Sequence, residues 1–323
     1  MNAVEHSVPL HDFEPDAGDM RDEVMRGLSA VPRVLPSKFF YDTQGSKLFE
    51  RICEQPEYYL TRAELALMET HLPDMADTLG PRVLLVEYGS GSGIKTHRLL
   101  EHLHRPVAYM PLEISRSALE ASVGRLAGDF PRIEMLPLCA DFTQPVVLPA
   151  PVRRQDRTVI YFPGSTIGNF EATRAVQLLR QMREEMGPDG AALVGVDLLK
   201  NPAVLEAAYN DAAGVTAAFT LNMLAHINRA LGADFDLAGF AHRARFNADA
   251  SRIETHIESL RSQDVHVAEH TFAFHPGDEI LVEYSCKYSR ESFARMAGEA
   301  GLRVAKVWTD PEELFSLQYL VCA

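Results

Sequence analysis

Residues Arg82 to Tyr88 read RVLLVEY, and Gly89 to Gly93 read GSGSG. A nearly unbroken apolar run of strand length suits a strand buried on both faces, as in the middle of a parallel sheet. Glycines directly after it let the backbone take positive φ and let a ligand come close. The rhythm then repeats. A helical pattern from Lys95 to His104 leads to a strand at Val107 to Leu112. A helix at Ser115 to Leu126 follows, then strands at Ile133 to Cys139 and Thr158 to Phe162. The helix expected from Ala172 to Met186 stops at Gly187-Pro188, and Ala192 to Leu198 is a further strand. Strands alternating with helices predict a doubly wound α/β sheet with right-handed crossovers.

That rhythm breaks at Asn201-Pro202. Residues 203–230 read as helical, and 240–285 as strands, in the stretches ARFNADASRIETHIESLRS, VHVAEHTFAFH and DEILVEYSCKYS. Gly277-Asp278 is expected to make a hairpin connection before the last of these. The chain then returns to a helix (Arg290 to Ala300) and two strands (Arg303 to Trp308, Phe315 to Val321) close enough in sequence to pair antiparallel. Upstream, residues 1 to about 20 read as flexible and 21–60 as an aromatic-rich segment. A helix is expected from Thr61, with Leu65, Leu67, Met68 and Leu72 as its apolar stripe and Thr61 with Glu64 as a capping box.

Composition removes several classes of function. No run of about 18 apolar residues exists, so a membrane span is excluded. The N-terminus, MNAVEHSVPLHDFEPDAGDM, lacks the basic-then-apolar layout of a secretion signal, and a cytoplasmic protein is expected. Net charge is −14 with no basic block, which argues against a nucleic-acid partner. Cys53, Cys139, Cys286 and Cys322 are scattered and read as reduced thiols. His266, His270 and His275 have no standard ligand spacing, so no metal is expected. A G-x-S-x-G nucleophile elbow is also missing.

The glycine turn lies where doubly wound sheets bind ligands, outside the carboxyl ends of the strands. G-x-G-x-G alone does not choose between cofactors. Two features favour S-adenosylmethionine over a dinucleotide. The pattern G-x-G-x-x-G would need a glycine at Ile94, and Glu87 stands two residues before Gly89, where a carboxylate can face a ligand's cationic amino group. Gly91 belongs to the same turn. Glu113, ending the second strand, can accept both ribose hydroxyl protons. After the third strand, Asp141 can accept from an adenine amino group and Phe142 can pack on the ring.

Five stretches carry a resemblance. Pro56-Glu57-Tyr58-Tyr59, Glu87 to Thr96, GSTIGN at 164–169, AYNDAAG at 208–214 and EYSCK at 283–287 resemble the ergothioneine-pathway histidine Nα-methyltransferases, from about Pro36 to the C-terminus. The resemblance implies a Rossmann-like class I methyltransferase sheet with a C-terminal antiparallel hairpin and an inserted α+β substrate-binding subdomain. In this chain that means a segment 1–60 contributing to the substrate domain, a core over 61–200, the insertion over 201–285 and a return to the core over 286–323. It further implies three methyl transfers from S-adenosylmethionine to the α-amino group of L-histidine, giving hercynine. Gly89, Lys95, Asp141 and Phe142 match cofactor positions, and Glu113 stands where the family often has Asp. Tyr58, Asn169, Tyr209, Glu283 and Ser285 match histidine-binding positions, and Tyr41 matches a tyrosine near the substrate amine. Thr255 departs from the family, where a methionine is expected beside the ring.

These residue types suit the chemistry. Asn169 offers an amide donor and an acceptor, for the substrate carboxylate and amine, and Tyr209 can donate to the same carboxylate. Glu283 and Ser285, two apart on a strand, share one face and suit an imidazole with two ring nitrogens. No residue is assigned as acid or base; Tyr41 and Asn169 position the amine. The competing readings are an Nα-methyltransferase for another amino acid such as tryptophan, a non-catalytic protein keeping the S-adenosylmethionine fold, and a dehydrogenase. The oligomeric state stays open, with a monomer compatible with the sequence.

Overall fold

Val83–Tyr88 is buried at every position because the sheet around it is covered on both faces. The computed structural model describes residues 10–12, 19–91 and 93–323, so most of the segment expected to be flexible, 1 to about 20, lies outside the described residues. By internal contacts the chain divides into two units. One comprises residues 1–15, 63–198 and 288–323; the other comprises 16–62 and 199–287.

The first unit is built on a sheet that is nine-stranded among the described residues. Inside an edge pairing of His11–Asp12 with Leu138–Cys139, and with Glu134–Met135 paired off the path to Ala108–Glu113, it runs Leu138–Cys139, Ala108–Glu113, Val83–Tyr88, Arg157–Phe162, Ala191–Asp197, Phe315–Cys322, Leu302–Thr309. The first five are parallel, and the last two form an antiparallel hairpin. Strand order therefore reverses at Val83–Tyr88, whose neighbours are Ala108–Glu113 on one side and Arg157–Phe162 on the other.

Alternation along each strand feeds two cores. Leu84, Val86 and Tyr88 join Met110, Ile160, Phe162 and Val194 under the helices Ala172–Met186 and Arg290–Glu299. Val83 and Leu85 join Tyr109, Val159, Tyr161 and Leu193 under Ile94–His102, Arg116–Asp129 and the apolar stripe Leu67, Met68, Leu72. The strand expected over Ile133 to Cys139 is broken into Glu134–Met135 and Leu138–Cys139. Pro137, between them, has no N–H for the ladder.

Within the second unit a sheet runs Arg33–Val34, Glu279–Cys286, Arg252–Ser259, Phe240–Asn247, beside a separate ribbon of Gln263–Val267 and His270–Phe274. Gly277-Asp278 makes no hairpin, because the strands it joins do not pair. Gly277 N–H donates instead to Ser259 O (2.8 Å), and Ser259 N–H to Asp278 O (2.8 Å), so the ribbon is an excursion between two neighbouring strands. The helical stretch over 203–230 is two helices, Pro202–Ala208 and Val215–Leu231. Asp211 ends the continuity: its carboxylate accepts from Val215 N–H and Thr216 N–H, both at 2.7 Å, and caps the second helix. The expected capping box is not formed. The helix starts at Tyr59, so Thr61 lies inside it and donates to Cys53 Sγ. Among the described residues no helix is long and apolar enough to cross a membrane.

Candidate active site

Because the five strands are parallel, the segments leaving their carboxyl ends gather at one edge of the first unit's sheet. They are the glycine turn, Glu113, Asp141-Phe142 and the 164–169 loop. Gly89, Gly91 and Gly93 all take positive φ, of 73°, 47° and 72°. Among the described residues, a Cβ at Gly91 would meet nothing within 4 Å, and one at Gly89 only the Phe142 ring, 3.7 Å away. The backbone at the strand end is therefore open to a ligand, beside an aromatic face. Phe142 is held there by stacking on Tyr88 (5.3 Å, 19°) and by Gln181 Nε2, which donates to Phe142 O (3.1 Å).

Glu113 accepts backbone N–H groups from Ser115, Gly91 and Ile114, which ties the carboxylate to the glycine turn; burial raises its pKa. Asp141 turns one oxygen to Thr143 N–H (2.8 Å). Asn169 ends a short 3-10 helix, Thr166–Asn169, entered through Gly164 and Ser165 in the left-handed region.

Glu87 departs from expectation. It does not face outward: Oε1 accepts from Thr96 Oγ1 (2.6 Å) and Oε2 from Tyr109 OH, and the residue is buried. Strand parity is the reason, since Glu87 shares the face of Val83 and Leu85. Burial raises its pKa to about 8. Lys95 forms an ion pair with Glu64, which is 0% exposed and also accepts from Gly164 N–H (3.0 Å). Sequence reasoning missed this role for Glu64. The signal in the sequence is a carboxylate set among Ala63, Leu65, Leu67 and Met68, a pattern that also fits half of a capping box.

The second unit brings together five of the remaining expected residues. Tyr41 and Tyr58 both make edge contacts with Phe49, and Tyr58 packs against Tyr209 (6.2 Å, 72°). Arg62 fixes the Tyr58 segment by donating to the carbonyls of Gln55, Pro56 and Tyr58 (2.7, 2.6 and 3.0 Å). Tyr209 OH and Ser285 Oγ are hydrogen-bonded at 2.7 Å. Lys287 Nζ donates to both, at 2.9 and 2.7 Å. His242 Nε2 donates to Tyr209 O (2.8 Å), which leaves Nδ1 facing Thr220 Oγ1 at 2.9 Å.

A bulge sets the direction of the two strand residues. Ile280 pairs with Ile257, Leu281 with His256, and then Glu283, not Val282, with Thr255. The extra residue re-aims the strand. Glu283 and Ser285 thereby join the face of Ile253, Thr255 and Ile257, all buried, although plain alternation from Ile280 would put them on the other face. Thr255 lies directly across from Glu283. Burial raises Glu283 to about 7, against the lowering influence of Lys287.

An open glycine turn at the switch point, an aromatic ring beside it and a separate polar-aromatic cluster are now in place. The family described as histidine-specific, S-adenosylmethionine-dependent methyltransferases matches residues 20–322. The chain belongs to that family. It is 38% identical over 307 residues to a histidine N-alpha-methyltransferase of Mycolicibacterium smegmatis, covering 94% of each chain. A histidine N-alpha-methyltransferase of Mycobacterium tuberculosis is also 38% identical, over 309 residues, covering 94% of this chain and 95% of that one. Ergothioneine biosynthesis protein 1 of Neurospora crassa is 31% identical over 285 residues, covering 86% of this chain and 32% of that protein. The methyltransferase is thus an S-adenosylmethionine enzyme, which removes the dehydrogenase alternative that its glycine turn left open. The open cradle at Gly89 and Gly91, with Phe142 alongside, fits that cofactor.

Proposed function

We propose that this enzyme methylates the α-amino nitrogen of L-histidine three times in succession, giving hercynine for ergothioneine synthesis, in the cytoplasm. What supports histidine as substrate, beyond family membership, is Glu283 with Ser285 on one buried strand face, beside Tyr209. An acceptor and a hydroxyl so placed suit the two nitrogens of an imidazole. We assign Tyr209 to the substrate carboxylate, Asn169 to the carboxylate and amine, Tyr41 to the neighbourhood of the amine, and Tyr58 to the binding of histidine. The unit of residues 16–62 and 199–287 is read as the substrate domain.

S-adenosylmethionine supplies a methyl group on a sulfonium whose leaving group is a neutral thioether. Gly89, Gly91 and Lys95 would hold it at the turn, Glu113 at the ribose, and Asp141 with Phe142 at the adenine. Glu87 is reassigned as a support that fixes the turn from beneath through Thr96. The chain's own work is then alignment of a nitrogen lone pair and exclusion of water. Alignment can supply several kcal/mol of the barrier, and desolvation disfavours the ammonium form that cannot attack. No acid-base residue and no metal is assigned.

A second reading, N-methylation of a larger aromatic amino acid such as tryptophan, is favoured by Thr255. It is a small side chain opposite Glu283 where the family resemblance led to methionine. Mass spectrometry of products formed from S-adenosylmethionine and each amino acid in turn separates the readings. Trimethylated histidine is expected, with tryptophan unmodified; the reverse would overturn the histidine reading.

A further inference from the structure

Lys287 is 3% exposed, at the end of the strand that carries Glu283 and Ser285. A buried ammonium is costly unless its surroundings use it. Here it closes a triangle: Nζ to Tyr209 OH is 2.9 Å, Nζ to Ser285 Oγ is 2.7 Å, and the two hydroxyls are 2.7 Å apart. We propose that Lys287 is a positioning residue for the amino-acid substrate, setting the direction of the hydroxyl protons of Tyr209 and Ser285. The inference rests on the amino-acid methyltransferase reading above.

Donor counting makes the case. An ammonium has three protons and no lone pair, so it only donates. Both hydroxyl oxygens therefore accept from Lys287, and neither can turn its own proton toward it. One hydroxyl proton goes into the bond between Tyr209 and Ser285. The other must point out of the triangle. With a methionine or leucine at 287, either hydroxyl could rotate its proton inward, and the pair would lose its fixed polarity. The ammonium also draws charge from both oxygens, which strengthens an outward O–H bond to an anionic acceptor. A substrate α-carboxylate is such an acceptor. Ring contacts and His242 complete the support: His242 holds the Tyr209 main chain, Tyr58 the ring, and Lys287 the hydroxyl.

The test uses the full-length enzyme with histidine and S-adenosylmethionine. Lys287→Met removes the ammonium and keeps an unbranched apolar stem. KM for histidine should rise at least tenfold, with a smaller change in kcat and cofactor affinity within twofold of wild type. Tyr209→Phe and the double variant complete a cycle. If Lys287 acts through the hydroxyls, the two losses in KM should fall well short of multiplying. Should Lys287→Met not yield folded protein, Lys287→Gln puts a shorter, neutral amide there whose oxygen can accept a hydroxyl proton, and the same rise in KM is expected. An unchanged KM, losses that multiply, or a parallel loss of cofactor affinity would overturn the role. Failure of wild type to methylate histidine would overturn the underlying reading instead, and is seen before any variant is made.

Discussion

Burial holds two carboxylates high on the pH scale, Glu87 at about 8 and Glu283 at about 7. Each binds its proton more tightly folded than unfolded. The stability this brings is complete below the unfolded carboxylate range, about 4.3, and is lost as pH rises through the folded value. Glu87→Gln removes that loss while keeping the side chain's size. The melting temperature of the variant should therefore gain on wild type between pH 5 and 8 and run parallel above that. A gap that stays constant across the range would show that Glu87 is not buried as described. Glu283 is expected to meet the substrate ring as an acceptor. KM for histidine should fall as pH rises from 6 to 8 in the wild type. Glu283→Gln should flatten that limb, the substrate's own titration being common to both enzymes. At this scale the sequence was partly readable. The spacing of Glu283 and Ser285 showed a shared face, but not which face. The inward turn of Glu87 is legible in its parity with Val83 and Leu85, whereas the glycines beside it point to a ligand outside the strand end.

Elements were most legible where local chemistry acts alone. Ala172–Met186 was expected at the bounds it has, because Gly187-Pro188 ends the helix from within the sequence. Val83–Tyr88 was legible from its apolar run. The Glu279–Cys286 strand was legible as a strand, but its bulge was not, since pairing with Arg252–Ser259 decides where the extra residue goes. The break at 209–214 was missed because Asp211 and Gly214 make a cap in the middle of a sequence with helical character on both sides. The glycine turn gives a further prediction. Gly89 has φ 73°, and a β-branched residue there is strained by about 1–2 kcal/mol even where space exists. Gly89→Val should abolish S-adenosylmethionine binding by calorimetry while far-UV circular dichroism stays that of wild type. Wild-type affinity in this variant would move the cofactor elsewhere.

At the scale of the whole chain, neither unit is one continuous piece. The first-unit sheet holds its last strand in its interior. Phe315–Cys322 lies between Ala191–Asp197 and Leu302–Thr309, with Phe315 through Leu320 buried. A chain stopped after residue 314 should lose soluble expression, as measured by the fraction recovered in the supernatant. Full recovery would mean the hairpin is dispensable. The antiparallel pairing of the two final strands was readable from their spacing. Their insertion beside Ala191–Asp197 was not, since it depends on contacts across more than 100 intervening residues.

That placement has a consequence during synthesis. The strand made last belongs to the interior of the sheet. While the ribosome adds the roughly 100 residues that separate it from Ala191–Asp197, about 5–20 s at ordinary rates, that strand waits with one side unpaired. An unpaired apolar strand is a template for any other strand nearby. A nascent chain of this enzyme is therefore exposed to mispairing from the time Ala191–Asp197 is made until Phe315–Cys322 can close the sheet beside it.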